Sequence, residues 1–277
     1  MIVDLHCHST VSDGVLAPDQ VAYRAHQNGV ELWALTDHDE VSGLALAEQT
    51  ALNLGMTFVP GVEVSVTFLG KTVHIVGLGI DYRSQSLIDS LRYVRAGRWQ
   101  RAQRIGDALA AMGVDNALEG AVPYATNPEL VSRTHFARFL VDHGYCKTIQ
   151  EVFTKYLGDH APAFVPMQWA TLSEAVQWIQ LAGGIAIIAH PGRYEFDALQ
   201  FDHLFTSFKD CGGVGIEVVT GSHAPHQYNE YARVAKRFGF EASMGSDFHG
   251  PSEGRLDLGC LPDLPSGLTP VWNRWLS

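Results

Sequence analysis

The sequence predicts an α/β fold in which parallel strands alternate with helices, most simply a seven-stranded β/α barrel carrying a helical insertion. Three observations carry that expectation. Short apolar runs alternate with amphipathic stretches and turn residues, as in β/α units whose strands are buried on both faces. His8, His38, Glu63, His190 and His249 fall at or just beyond the ends of such runs, and the strand ends of a barrel converge on one face. Residues 96–165, by contrast, drop the alternation and read as helices. The expected organisation is therefore 1–95, first part of the barrel; 96–165, a helical cap; 166–277, second part of the barrel. An open doubly wound sheet is the alternative that the alternation leaves.

The elements follow in order. Ile2 to Leu5 is a first strand, and the polar stretch HCHSTVSDG follows it. Pro18 suits the first helical position and Asn28-Gly29 closes that helix. Val30 to Thr36 is a second strand ending in TDHD, and Ser42 is placed to cap a helix running to Gly55. Thr57 to Val64 and Lys71 to Gly79 are the third and fourth strands. IAIIAH, VGIEVV and Glu241 to Met244 supply three more, the last leading into GSDFHG, with helices near 173–182 and 225–238. The insertion holds helices through Arg92–Met112, near Thr134–His143 and near Ile149–Tyr156.

Composition narrows the function classes. The 277 residues are 46% hydrophobic and 18% charged, enough for a large core. A net charge of -11 argues against coating long duplex nucleic acid. The four cysteines, Cys7, Cys146, Cys211 and Cys260, form no C-x-x-C pair, which disfavours a disulfide or zinc-finger scaffold. No leader-like segment opens the chain and no apolar run reaches about 18 residues, so a cytoplasmic protein without membrane contact is expected. What stands out is histidine, with 13 copies.

His6 and His8 lie two apart on an extended segment and so point to one side; Asp247 and His249 repeat the spacing near the other end of the chain. Asp13, His38, Glu63, His74 and His190 are single polar residues on or beside apolar runs. A histidine such as His74 in KTVHIVG is, alone, more readily a satisfied core residue; the recurrence of H-x-H and D-x-H at strand ends is what argues for ligation. Six imidazoles and three carboxylates suit manganese, zinc or iron better than calcium, and nine donors suit two or three ions. Three divalent ions on three carboxylates leave a surplus of +3, which a hydroxide and a phosphate dianion bring to zero. Asp37 and Asp39 read as helix-start residues.

The motifs DLHCHSTVSDG, TDHDEVSG, GVEVS, HIVGLG, AHPGR and GSDFHG, in that order, resemble those of the polymerase-and-histidinol-phosphatase (PHP) domain family, a branch of the amidohydrolase superfamily. The resemblance runs over 2–80 and 183–255, and the insertion is similar to that of stand-alone members acting on small nucleotides: 3′,5′-nucleoside bisphosphate phosphatases and exonucleases that trim short 5′-phosphorylated RNA. It implies a distorted seven-stranded TIM-like β/α barrel with up to three metals, most readily Mn2+. By motif, His6, His8, Glu63 and Asp247 hold a first ion; Glu63 bridges to a second completed by His74 and His190; Asp13, His38 and His249 hold a third. Many histidinol-phosphatase relatives place a histidine where Asp13 stands, and aspartate is the harder ligand. The implied catalyst is a metal-bridging hydroxide held at Glu63 that attacks phosphorus in line.

Phosphate groups beyond the metals call for arginine. Arg133 and His135 sit at a helix start, beside Ser132 and Thr134; Arg193 follows His190; Arg92, Arg95, Arg98, Arg101 and Arg104 form a run without an intervening acid. Steps of three drift about 60° each on a helix, so the run winds and only one or two members face a site. Arg98 and Arg101 are the candidates, then Arg104 and His223. Glu217 is a candidate to orient a ligand histidine. Trp33, Trp99, Trp169 and Trp178 read mostly as core. The expected activity is removal of the 3′-phosphate from a bisphosphate such as pAp, with 5′-3′ exoribonuclease action on short RNA as the alternative. A histidinol-phosphate-type phosphatase or a non-catalytic module ranks lower. No obligate protein partner is inferred.

Overall fold

A computed structural model describes residues 1–251 and 253–276. In chain order these form β1 (Ile2–Asp4), α1 (Pro18–Gln27), β2 (Val30–Trp33), α2 (Leu44–Asn53), β3 (Thr57–Phe58), β4 (Gly61–Phe68) and β5 (Lys71–Leu78). The helices α3 (Gln85–Arg95), α4 (Arg98–Ala110), α5 (Ala117–Ala121), α6 (Arg133–Asp142) and α7 (Ile149–Val152) follow. The chain ends with α8 (Leu172–Leu181), β6 (Ile185–Ile188), α9 (Ala198–Asp210), β7 (Gly215–Thr220), α10 (Pro225–Phe238) and β8 (Glu241–Gly245).

The mixed α/β class is as expected; the strand arrangement is not. The described strands form a parallel sheet β1-β2-β3 and a five-stranded sheet β4-β5-β6-β7-β8, rather than one closed seven-stranded ring. Two local causes separate expectation from outcome. Pro60 has no N–H for a ladder, so the segment expected as one strand over 57–64 splits into β3 and β4. Leu69 and Gly70 both take positive φ in a two-residue turn, folding β4 and β5 into an antiparallel hairpin with Phe68 opposite Lys71. β5 and β6 are also antiparallel, while β6, β7 and β8 run parallel.

The two sheets are stitched where the strands end. Cys7 bridges to Phe248, and His38 bridges to Glu63. Main-chain bonds from Leu5 N–H to the Met244 carbonyl (3.1 Å), from Asp247 N–H to that of His6 (2.8 Å) and from Glu63 N–H to that of Asp37 (3.1 Å) complete the seam. Gly245 is what lets β8 approach this closely, because a Cβ there would collide with His6.

One large apolar core lies between the sheets and helices α1, α2, α8, α9 and α10, centred on residues such as Val64, Ile75, Ile187 and Ile216. Residues 102–165 build a second cluster around Ile105, Leu109, Phe136, Leu140 and Leu157. The helix expected through Arg92–Met112 is interrupted at Ala96-Gly97, giving α3 and α4. That break sits against Met167, whose methyl group a Cβ at Gly97 would strike.

Candidate metal centre

Glu63, fully buried on β4, is the hub. Its Oε1 lies 3.0 Å from His74 Nδ1 and 2.9 Å from His190 Nε2. Its Oε2 lies 2.9 Å from His38 Nδ1, 3.2 Å from His8 Nε2 and 3.3 Å from His6 Nε2. Asp247 Oδ1 is 3.4 Å from His8 Nε2 and 3.6 Å from His6 Nε2. Asp13 Oδ1 is 3.3 Å from His249 Nε2. All nine donor residues chosen from the sequence therefore meet in one place.

Local structure aims them. His6 and His8 alternate past the end of β1, and His38 follows β2. The sharp turn carrying Asp13 needs Gly14, whose Cβ would run into the His8 main chain. His190 and Asp247 adopt positive φ, 25° and 55°, a strained conformation for non-glycine residues that the surrounding bonds hold in place. Glu217 does part of that holding: it accepts from His6 Nδ1–H at 2.8 Å and from the His190 main-chain N–H at 2.6 Å. It thereby directs His6 Nε2 at Glu63, the orienting role anticipated for it.

The donors also sort into groups able to share an ion: His8, Asp13, His38 and His249; His6, His190 and Asp247; His6, His8 and Glu63; His38, Glu63 and His74. These differ in detail from the sets implied by motif. His190 sides with His6 and Asp247 as well as with Glu63, and His38 faces Glu63 through Nδ1 and Asp13 through Nε2.

The electrostatics ask for cations. Burial alone would raise the Glu63 carboxyl, yet the His38, His74 and His6 imidazoles around it hold it well below the ordinary carboxylate range. Against the cost of burial, Asp13 and Asp247 push His249 up to about 9. Burial, with Arg193 nearby, pushes His190 down to about 3. The buried carboxylates thus favour positive charge on the His6, His38 and His249 imidazoles, whose pKa values they raise against the cost of burial. Among the described residues, buried side-chain atoms of His8, Asp13, His38, Glu63, His190 and Asp247 find no hydrogen-bond partner, a cost that coordination of a cation would relieve.

Beside the donors opens a cavity lined by Asp13, His38, His74 and His249 and by four arginines, Arg98, Arg101, Arg133 and Arg193. Arg98 binds Asp39 and lies 4.6 Å over the Trp169 ring. Arg101 donates Nε–H to the Val165 carbonyl (2.8 Å) and, among the described residues, makes no ion pair. Burial, then the neighbouring Arg133 and Arg98, pushes Arg101 down to about 9. Arg133 meets Asp159 (2.9 Å) and the Leu157 carbonyl, with its guanidinium over Phe153 and Phe164. Half-exposed Arg193 reaches Asp247 Oδ2 at 3.1 Å.

Three substrate candidates go elsewhere. His135 does not line the cavity; its Nδ1 accepts from Ser132 N–H at 3.0 Å, closing the cap of α6. His223 is buried with both ring nitrogens engaged, Nδ1 with the Val218 carbonyl and Nε2 accepting from Gly192 N–H. Its role is to support the His190 turn. Arg104 is exposed on a separate concavity with Gln100, Gln103 and Glu119. Nor do Asp37 and Asp39 start a helix. Asp37 accepts from Ser9 and Ser12, and Asp39 from Ser65 and Arg98, tying neighbouring loops together. Trp169, read as core, lines the cavity beneath two guanidinium groups, while Trp99 lies outside it. Ser222, which donates to Asp247, had no sequence signal.

The PHP domain model matches residues 4–194, a span holding seven of the nine donors, all but Asp247 and His249. The chain belongs to the PHP domain family. It is 48% identical over 272 residues to a 3′,5′-nucleoside bisphosphate phosphatase of Chromobacterium violaceum, covering 98% of this chain and 95% of that protein. It is 41% identical to a 5′-3′ exoribonuclease of Haemophilus influenzae, covering 98% of each. A solved structure of an amidohydrolase from Chromobacterium violaceum, with bound sulfate and no metal, superposes with a TM-score of 0.96 at 47% identity, covering 99% of this chain and 95% of that one. The family read from the motifs is borne out.

Proposed function

We propose that this PHP protein is a metal-dependent phosphoester hydrolase that removes the 3′-phosphate of 3′,5′-nucleoside bisphosphates such as pAp, leaving the 5′-mononucleotide and phosphate. The observation that carries the reading is a cavity in which four of the nine clustered donors, Asp13, His38, His74 and His249, face four arginines. The donors that would hold two or three divalent ions are His6, His8, Asp13, His38, Glu63, His74, His190, Asp247 and His249; their mixed imidazole and carboxylate character fits Mn2+ best, with Zn2+ or Fe2+ as alternatives. When bound, such ions supply an activated water near neutral pH and offset charge on the phosphoryl oxygens.

The chain's own groups do the rest. Glu63 anchors the centre on a rigid strand, and Glu217 fixes the direction of His6. Arg101, with donors to spare, and Arg98, stacked beside it on Trp169, offer planar guanidinium groups to one phosphate. Arg133 approaches from the start of α6 and Arg193 from beside Asp247. We read residues 96–165 as a cap whose arginines select short, highly charged nucleotides, and the seam between the sheets as the mouth of a distorted barrel. In the reaction a water oxygen bonds to phosphorus, the bond to the ribose 3′-oxygen breaks, and that oxygen takes up a proton. Four free cysteines fit a reducing, cytoplasmic setting, and no described helix is long and apolar enough to cross a membrane.

The exoribonuclease reading has its own support in the 41% identical relative, since a nucleoside in place of a proton on the attacked phosphate leaves the attack unchanged. Incubation of Mn2+-loaded protein with pAp, followed by phosphate assay, is expected to show release. A 5′-phosphorylated trinucleotide turned over to mononucleotides while pAp stays intact would favour the second reading.

A further inference from the structure

Arg138, on α6 of the inserted segment, is buried yet lies outside the arginine-lined cavity. Its Nη2–H donates to the main-chain carbonyl of Asp13 at 2.6 Å. The same guanidinium forks onto Glu253, with Nε–H to Oε1 at 2.8 Å and Nη2–H to Oε2 at 2.6 Å. Asp13 sits in the loop after β1, and Glu253 four residues beyond His249 in the loop after β8. One side chain therefore grips both loops whose donors, Asp13 and His249, meet at 3.3 Å. Ser132, the cap of the same helix, donates Oγ–H to Asp13 Oδ2 at 3.3 Å, so α6 holds Asp13 at carbonyl and carboxylate together. A main-chain bond from Val15 N–H to the His249 carbonyl (2.8 Å) ties the loops independently. Losing Arg138 thus loosens the pair rather than unravelling it.

We propose that Arg138 is a positioning residue for the Asp13–His38–His249 donor group, making occupancy of that cation site depend on how the inserted helices are seated. This rests on the metal-dependent reading above. A planar fork is needed because carbonyl and carboxylate must be reached at once, and partners outside the ligand shell set how well donors hold an ion.

The test is calorimetric titration of the metal-free full chain with Mn2+ for wild type, Arg138→Met, Arg138→Lys and Glu253→Gln, alongside kcat and KM on pAp. Arg138→Met is expected to weaken one binding step by about 10- to 100-fold and spare the others, with little change in the melting temperature of the metal-free protein. Its kcat should fall at low Mn2+ and recover as Mn2+ is raised, with KM steady. Arg138→Lys should restore part of the lost affinity, since an ammonium still reaches the Asp13 carbonyl. Binding in Arg138→Met identical to wild type, or equal weakening of every step together with a lowered melting temperature, overturns the proposal. If Arg138→Met fails to fold, Glu253→Gln decides: the same step weakened supports it, unchanged binding overturns it. A wild-type chain that takes up no divalent ion defeats the metal-dependent reading itself, whereas uptake by wild type and Arg138→Met alike defeats only the role of Arg138.

Discussion

The strand-end cluster and the inserted helices contribute different things to one cavity. The cluster gathers nine candidate donors from strands β4 and β5 and from the segments after β1, β2, β6 and β8, four of them marked in the sequence by a spacing of two residues. The helical residues 96–165 supply cations, whose facing depends on where each helix breaks and what it packs against. Arg95, Arg98 and Arg101 turn inward, while Arg92 and Arg104 face solvent. The lesson is that a site half built on strands and half on helices is legible in sequence only in its first half.

Substitutions on either side of the cavity test this division of labour. The largest effect is expected for His190→Ala, which removes a donor without touching the arginines: turnover should fall by at least about a thousandfold. Circular dichroism should stay close to wild type, and retained activity would place the chemistry elsewhere. Next comes Phe136→Ala, at the centre of the insertion's own apolar cluster, expected to cost about 3–5 kcal/mol in urea unfolding. A much smaller loss would mean that the insertion is held by its contacts with the sheets and not by its own core.

Arg101→Ala should act on substrate rather than on metal. Loss of charged hydrogen bonds of about 1.5–3 kcal/mol translates into a KM raised by roughly 10- to 150-fold, with Mn2+ content unchanged by elemental analysis. A fall in metal content instead would assign Arg101 to the scaffold of the cluster. The smallest effect is expected for Arg104→Ala, three residues further along the same run. Exposed and away from the donors, it should change kcat/KM by no more than about twofold, in line with surface substitutions within about 0.5 kcal/mol. A KM effect rivalling that of Arg101 would overturn the division of the run into inward and outward faces.

The strand count shows where reading by pattern stops. Apolar runs located seven strand segments, yet Pro60 divides one of them, and Leu69-Gly70 reverses the chain without the Asn-Gly or Asp-Gly pair that usually marks such a turn. Parallel and antiparallel neighbours draw on the same Val- and Ile-rich composition, so composition could not assign direction to β5. His135 and His223 show the same boundary for the site. Each sits at a plausible strand or helix end, and each is consumed by a main-chain partner that no spacing reveals.

Sequence alone established the α/β class and the PHP family and picked out the nine residues proposed as donors, because the short motifs that mark them are local properties of the chain. Tertiary structure alone decided the division into two sheets, the inward turn of Arg98 and Arg101 over Trp169, and the grip of Arg138 on Asp13. Those depend on contacts between residues up to 125 positions apart, several of them to main-chain carbonyls, which every residue possesses and which therefore leave no mark in the sequence.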